Sequence, residues 1–556
     1  MFEQNKRVKP IRRKGLPPIA TALIITTIFA LVIFYLMLPA LNPKNPDFYI
    51  FLCVCLLVYC IVVVKAKGIE IGLTNIRPAL QIFKRYCTVP FFICLGLVLV
   101  LIIGNIVSNV VLQARAYSKL LPVETGDFAT EVKQISYDQI PMLDKISAQR
   151  LGDRKLGELA DMVSQFTVVN DYNQMNYGNQ PVRVATLAYA DIFKWIANRA
   201  EGIPAYIIID MVTQNVEVVR LEEGIKYTNA EHFSRNINRH LRFNYPTYMF
   251  ARPHLEIDDN KHPYWICPKI EKTIGLFGGT DINGVVLVDA VTGECTYHKD
   301  VPNWVDQVYS AELIISQYDY YGRYAGGFLN SLFGQKNVTV TTDGHNYIAQ
   351  DDDLYVYTGI TSVTGDQSNI GFVLVNQRTK DTRYYACAGA EEYSAMNSAQ
   401  GVVQHLGYIA TFPLLLNIAD HPTYFVALKD NAGLVKMYAM VNVQQYNIVA
   451  TGMTVAECET VYIRMLSQNG LMNEVPILKS GVEGIVEDIR IAVINGTSVY
   501  YLLLDSSETY YAVSAADSES IMLVNKGDLV SIQAVEAAGD GAIVSATGLE
   551  RLSDKP

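Results

Sequence analysis

The chain has 556 residues, half of them hydrophobic, with 45 Lys and Arg against 55 Asp and Glu and a net charge of −10. That length excludes a single core, at about 100–200 residues per domain. The acid is concentrated after residue 113: residues 1–113 hold 12 basic and 3 acidic residues, leaving 33 and 52 for the remainder, a net charge of −19 that argues against nucleic acid or anionic phospholipid as its main ligand.

Ile19 to Leu38, Phe48 to Val64 and Val89 to Leu112 carry no charged residue. As helices rising about 1.5 Å per residue, such runs span or nearly span a hydrocarbon core of about 30 Å, so residues 1–113 read as a three-helix transmembrane anchor. Lys6, Arg7, Lys9, Arg12, Arg13 and Lys14 precede the first run, and Lys65, Lys67, Arg77, Lys84 and Arg85 follow the second. Basic flanks stay in the cytoplasm. The expected topology is therefore a multi-pass protein of the cell membrane with a cytoplasmic N-terminus and a large C-terminal extracytoplasmic domain. "IRRKGLPP" lacks the apolar pair of a twin-arginine signal and "YLMLPALNP" offers no small-x-small cleavage site, so the first helix reads as an uncleaved anchor.

Residues 114–183 read as a juxtamembrane segment, extended from Thr125 to Pro141, followed by a helix over residues 145–166 that is expected to dock the domain on its anchor. A second amphipathic helix is expected over residues 184–202. A β-hairpin pattern then recurs, in which a strand runs into Asp or Asn, then a turn former, then a second strand: Asp210 and Thr213, Asp289 and Thr292, Asn376 and Thr379, and more loosely Asp430 and Gly433, Asp505 and Glu508. Asp or Asn at the first corner accepts hydrogen bonds from the backbone ahead of it, which favours type I-based loops. Helical patterns begin after the first four hairpins, at Thr228, Val301, Glu392 and Thr454, with Asn229, Asn303 and Thr454 as N-caps. Residues 184–475 thus read as an α+β region of repeated hairpin-plus-helix modules on antiparallel sheets. Intervals of 79, 87, 54 and 75 residues between corners exclude a regular solenoid. The repeated Leu-Phe-Gly near Leu276 and Leu332 reads as sheet-edge loops.

Residues 476–556 are short strands with frequent turns, the pattern of a small β-barrel, and "LVNKGDLVSIQ" resembles the turn and outgoing strand of OB-like barrels. Cys267, Cys295, Cys387 and Cys458 alone lie outside the anchor; their pairing stays open, and the absence of C-x-x-C there gives no redox or zinc signal.

Candidate chemistry is sparse. There are 35 Tyr, and Tyr318, Tyr320, Tyr321 and Tyr324 exceed what one strand face needs, which marks them as a possible ligand surface. His232, His240, His254 and His262, and the acidic runs Asp258–Asp259 and Asp351–Asp353, match no ligand spacing, so no metal site and no cofactor are expected. Lipase-type elbows, H-E-x-x-H, Walker and Rossmann patterns are absent, which leans away from an enzyme.

"SAQRLGDRKLGEL", "PVRVATLAYADIFKW", "EGIPAYIIIDMVT", "GIKYTNAEHFSRNINRHLRFNYPT" and "IGLFGGTDI" together resemble a group of uncharacterised three-helix-anchored membrane proteins of low-GC Gram-positive bacteria. The hairpins, above all "VVLVDAVTGECTYH", resemble those of PepSY domains, helix-and-hairpin modules found outside bacterial membranes. The resemblance places the modules outside a bacterial membrane; with no catalytic motif in the sequence, the expected function is an integral cell-envelope protein whose PepSY-like modules bind or scaffold a protein, peptide or wall polymer, and the acidic exterior argues against nucleic acid. The alternatives are an accessory subunit of a transporter or secretion complex, and a membrane-tethered hydrolase whose site is assembled from distant residues.

Overall fold

The computed structural model describes residues 17–66, 83–134, 140–350, 352–363, 368–472, 481–494, 497–505, 507, 509–515, 518–534 and 543–552. The expectations for Lys6 to Lys14, Lys67, Arg77, Asp351 and Glu508 fall outside them. The chain divides into two compact units, residues 1–462 and 463–556.

Three helices are long and apolar enough to cross a membrane: α1 (Pro18–Met37), α2 (Pro46–Ala66) and α3 (Thr88–Val107), the last extended at its start by one π-helical turn from Phe83. The third run ends earlier than its hydropathy suggests, because Asn109 caps a separate helix, α4 (Val110–Tyr117), by accepting the Val111 N–H.

After strand β1 (Glu124–Gly126) come four modules, each a helix followed by an antiparallel sheet. Module 1 contains α5 (Lys145–Gly157), β2 (Phe166–Val168), β3 (Asn173–Tyr177), β4 (Gln180–Tyr189), α6 (Ile192–Asn198), β5 (Ile203–Asp210) and β6 (Val216–Ile225). Module 2 contains α7 (Ile237–Asn244), β7 (Met249–Phe250), β8 (His254–Ile257), β9 (Pro263–Ile274), β10 (Gly278–Asp289) and β11 (Cys295–His298). Module 3 contains α8 (Ala311–Tyr324), β12 (Thr339–Thr341), β13 (Asn346–Gln350), β14 (Asp353–Ser362), β15 (Ser368–Asn376) and β16 (Thr382–Ala390). Module 4 contains α9 (Glu392–Val402), β17 (Ile409–Ala410), β18 (Leu414–Ile418), β19 (His421–Lys429), β20 (Val435–Asn442) and β21 (Val449–Gly452). Helix α10 (Val455–Gln468) follows.

The four sheets share one topology. Two short strands run along one edge of the first long strand, and the next two strands follow as a meander; module 3 adds β1, parallel to β16. A tight turn with a left-handed residue leads into the first long strand each time, at Asn179, Lys261, Asp352 and Asp420. At the same end of the sheet the corner residue turns the chain. Asp289 Oδ1 accepts the N–H groups of Val291 and Thr292, Thr292 Oγ1 accepts that of Glu294, and the Ala290 N–H donates to Pro263 O. The pattern repeats at Asp210, where Met211 donates to Pro181 O, and at Asn376, where Gln377 donates to Leu354 O.

In module 4 the structure corrects the alignment. Asp430 sits one turn earlier, between β19 and β20, and the matching corner is Asn442, which accepts the Gln445 N–H while Val443 donates to Pro422 O. Asp505 belongs to the C-terminal strands, where it accepts the Ile485 N–H, and is no copy of the repeat.

Other expectations also change. Residues 184–202 form part of β4 and then α6; Val182 to Leu187 are all buried, so both sheet faces are covered and the period-2 alternation is lost. The helix from residue 145 ends at Gly157 and packs on module 1 and on the β19–β20 hairpin, where Lys429 pairs with Asp144 at 2.5 Å, instead of on the anchor. Asn236 and Ser310 cap α7 and α8 in place of Asn229 and Asn303, while Thr454 does accept the Glu457 N–H. Strand β10 carries the run "VVLV" because α7 covers one sheet face and Val305 and Val308 the other.

The β9–β10 turn, "LFGG", is the joint to the anchor. Ser108 Oγ accepts the N–H groups of both Leu276 and Phe277, each at 2.9 Å, and Gly104 gives the Phe277 ring room that a Cβ would fill at 2.4 Å. Arg242 Nε donates to Leu38 O at the end of α1.

In the second unit, β22 (Gly481–Ile494), β23 (Thr497–Leu504), β24 (Tyr510–Ser514), β25 (Leu529–Ala534) and β26 (Ile543–Arg551) pair in the order β22-β23-β24-β26-β25, and β25 returns to β22. The strands close on themselves around Val486, Leu502, Val513 and Ile532, with β24 and β26 parallel.

Ser108→Ala orphans the buried Phe277 N–H, at about 1–3 kcal/mol, and the part-buried Leu276 N–H at less. Ser108→Ala and Gly104→Leu should both lower the melting temperature of the detergent-solubilised full chain, the second through steric clash with Phe277; an unchanged melt for both contradicts this joint.

Candidate binding site at the module junction

The short inner strands bring the modules together: β3 lies against β8 and β14, and β13 against β18. Two polar clusters result. In the first, Arg183 projects from β4 between Val182 and Val184, whose side chains enter the core. It is 8% exposed, its Nη1 donates to Tyr172 O and its Nη2 to Gln174 Oε1, and its Nε has no partner. It forms no ion pair among the described residues. Burial lowers its pKa to about 10, which leaves it a cation at neutral pH.

Arg183 is one of the residues lining a cavity of about 240 Å³ shared by modules 1, 3 and 4 and the segment ahead of α5. Met142, Met211, Phe412, Leu414 and Phe425 supply an apolar wall. Its polar groups are Asp144, His345, Asn346 and Tyr347. Burial favours a protonated Asp144, but hydrogen bonds from Lys429 and Ser147 outweigh it and hold its pKa below the ordinary value. Burial lowers the His345 imidazole and raises Tyr347 to about 12, so both are neutral at pH 7; the Tyr347 hydroxyl and His345 Nε2 lie 3.3 Å apart. The acid in the cavity pairs with Lys429, and Arg183, although the Asp144 charge acts on it, has no ion pair of its own among the described residues. Thr411 adds a hydroxyl to the lining.

The second cluster joins modules 1, 2 and 3. Glu256, fully buried, accepts the N–H groups of Asp306 and Gln307 and contacts His254 Nε2 at 3.1 Å. Asp306, 1% exposed, accepts the Asn176 N–H. Burial, then the Glu256 carboxylate, then Asp352 and Asp353 push its pKa well above the ordinary carboxylate range, although the Asn176 N–H acts against them. Arg378, on which the Asp306 charge acts, is clamped on Asp353 by both Nε and Nη2.

The residues singled out from sequence are dispersed. Tyr318, Tyr320, Tyr321 and Tyr324 lie on helix α8, not on a strand, so they point in different directions: Tyr318 is buried with Tyr321 packed on it, while Tyr320 packs on Tyr117 at 4.8 Å and stacks with Tyr324. Tyr320 borders a separate cavity of about 440 Å³ with Tyr117 and Gln317. His240 meets Gly293 O, His262 meets Asp289, and His232 packs on Trp195. Asp258 caps its own turn, and no group of three metal-ligating side chains occurs among the described residues. All nine cysteines are free thiols. Arg183 was missed because residues 184–202 read as a helix; its signal was a single charge inside the buried run "PVRVATL".

Comparison with protein-family models and with curated proteins found no match. Among solved structures, a crystal structure of an exo-β-1,3-galactanase from Phanerochaete chrysosporium with β-1,3-galactotriose is similar at 9% identity, over 66% of this chain and 77% of that one, with a TM-score of 0.18, which carries no argument.

Because burial and the Glu256 charge raise the Asp306 pKa in the folded chain above its unfolded value of about 3.9, stability is lost as pH rises from about 4 through the raised native value. Asp306→Asn keeps an acceptor for Asn176 and removes that loss. The melting temperature of the variant minus that of the wild type should grow from pH 4 to pH 8; a constant difference contradicts the assignment.

Proposed function

We propose that this is a membrane-anchored cell-envelope protein whose extracytoplasmic modules bind a peptide or protein partner through a carboxylate, held by Arg183. The observation that carries the reading is a buried Arg183 whose Nε has no hydrogen-bond partner, in a residue that borders a cavity with an apolar wall. A buried charge is costly unless paired, and an Arg–carboxylate bond is the strong, directional way to pair it. The cavity is smaller than the roughly 300–1,000 Å³ that enclose a drug-sized ligand. It suits one large apolar side chain with its terminal carboxylate, the end of a longer partner.

The PepSY-like reading of the modules is supported by their helix-then-antiparallel-sheet order, and the OB-like reading of residues 481–551 by five strands closing with one parallel pair. The extracytoplasmic side rests on the basic flanks of the anchor.

Two experiments test the proposal. Protease added to intact cells should degrade the region after residue 113; full protection contradicts the topology. With the full chain in nanodiscs, short peptides ending in Phe or Leu should raise the melting temperature when the C-terminus is a free carboxylate and not when it is an amide. Arg183→Met should abolish the difference. Equal responses to acid and amide reject the carboxylate site.

A further inference from the structure

We propose that the face of modules 1 and 2 formed by α6, the turn at Phe233 and α7 is seated in the lipid headgroup layer beside α1, and that anionic phospholipid is what it binds. This stands independently of the Arg183 reading. The patch is continuous with the anchor: the Phe243 ring lies 5.8 Å from that of Phe34 and 6.3 Å from that of Tyr35, both in the last turn of α1. Arg239 stacks on Tyr35 at 4.2 Å and bonds both Tyr35 O and Phe233 O. Phe233 in turn packs on Trp195 of α6, the ring centroids 5.9 Å apart.

From that contact line outward, large apolar side chains stand in the open: Phe193 is 75% exposed, Phe233 64%, Phe243 55% and Ile196 53%. A cluster of this kind in water marks an interaction surface. Interleaved with it are Lys194, Arg199, Arg235 and Arg239, none in an ion pair among the described residues; Asp191 spends its carboxylate capping α6, Glu231 is buried and accepts from Tyr189 and Trp195, and Glu201 is a further acid close by in sequence. Exposed aromatics ringed by unpaired cations are the composition of an interfacial segment, with apolar groups entering the acyl boundary and cations meeting phosphate. The basic cluster is local to the anchor in a domain that is otherwise acidic, which is how a protein with a repelling exterior can still hold one face against its own membrane.

The test uses the full chain with Phe193→Trp in nanodiscs, with the unsubstituted protein as baseline. In brominated phosphatidylglycerol, the emission contributed by the introduced Trp should be lost, because bromine quenches only at contact range. The loss should reverse in zwitterionic brominated lipid at high salt, and on adding Lys194→Glu and Arg235→Glu. Undiminished emission in every lipid overturns the proposal, as it would if a protein partner covered the face. Equal quenching in anionic and zwitterionic lipid overturns the anionic-lipid assignment.

Discussion

Each of the four modules depends on one clamp: the N–H of the residue after the corner Asp or Asn donates to a carbonyl at the start of the neighbouring long strand, as Ala290 does to Pro263 O. It holds the corner beside the left-handed turn that starts that strand, so two reversals are locked at one end of the sheet. The short strand before that turn is thereby fixed in register, and β3, β8 and β13 are the elements that carry the modules into contact. The polar junctions exist because this edge is held the same way each time.

At those junctions electrostatics decides the outcome. Asp144 finds Lys429, which helps hold its pKa below the ordinary value, and Asp353 finds Arg378. Asp306 finds a second carboxylate, and burial together with that charge pushes its pKa up. Arg183 finds only a carbonyl and an amide oxygen. The protein therefore holds an acid of raised pKa at one junction and a cation without a direct ion pair at another, a few strands apart, and the cation is the feature a ligand can complete.

How far this was legible in the sequence follows from the range of the interactions. The corners at Asp210, Asp289 and Asn376 were readable because the hydrogen bonds of an Asx turn span two or three residues. Asn442 was not, because its loop drops the Thr and lengthens, leaving Asp430 as a better local match in the wrong turn. Periodicity failed where burial is two-sided, in β4, and with it the position of Arg183. The joint between Ser108 and the Leu276–Phe277 backbone spans 168 residues in sequence, and nothing local announces it. The Tyr cluster was visible, but a helix distributes side chains around its axis where a strand would have aligned them.

The central claim is that Arg183 awaits a carboxylate. A structure of the full chain in nanodiscs with a bound peptide ending in Phe tests it most directly. The account predicts a terminal carboxylate oxygen about 2.7–2.9 Å from Arg183 Nε, with the phenyl ring against Phe412 and Phe425. A peptide bound elsewhere, or a cavity that stays closed with Arg183 Nε bonded to the protein itself, would contradict it.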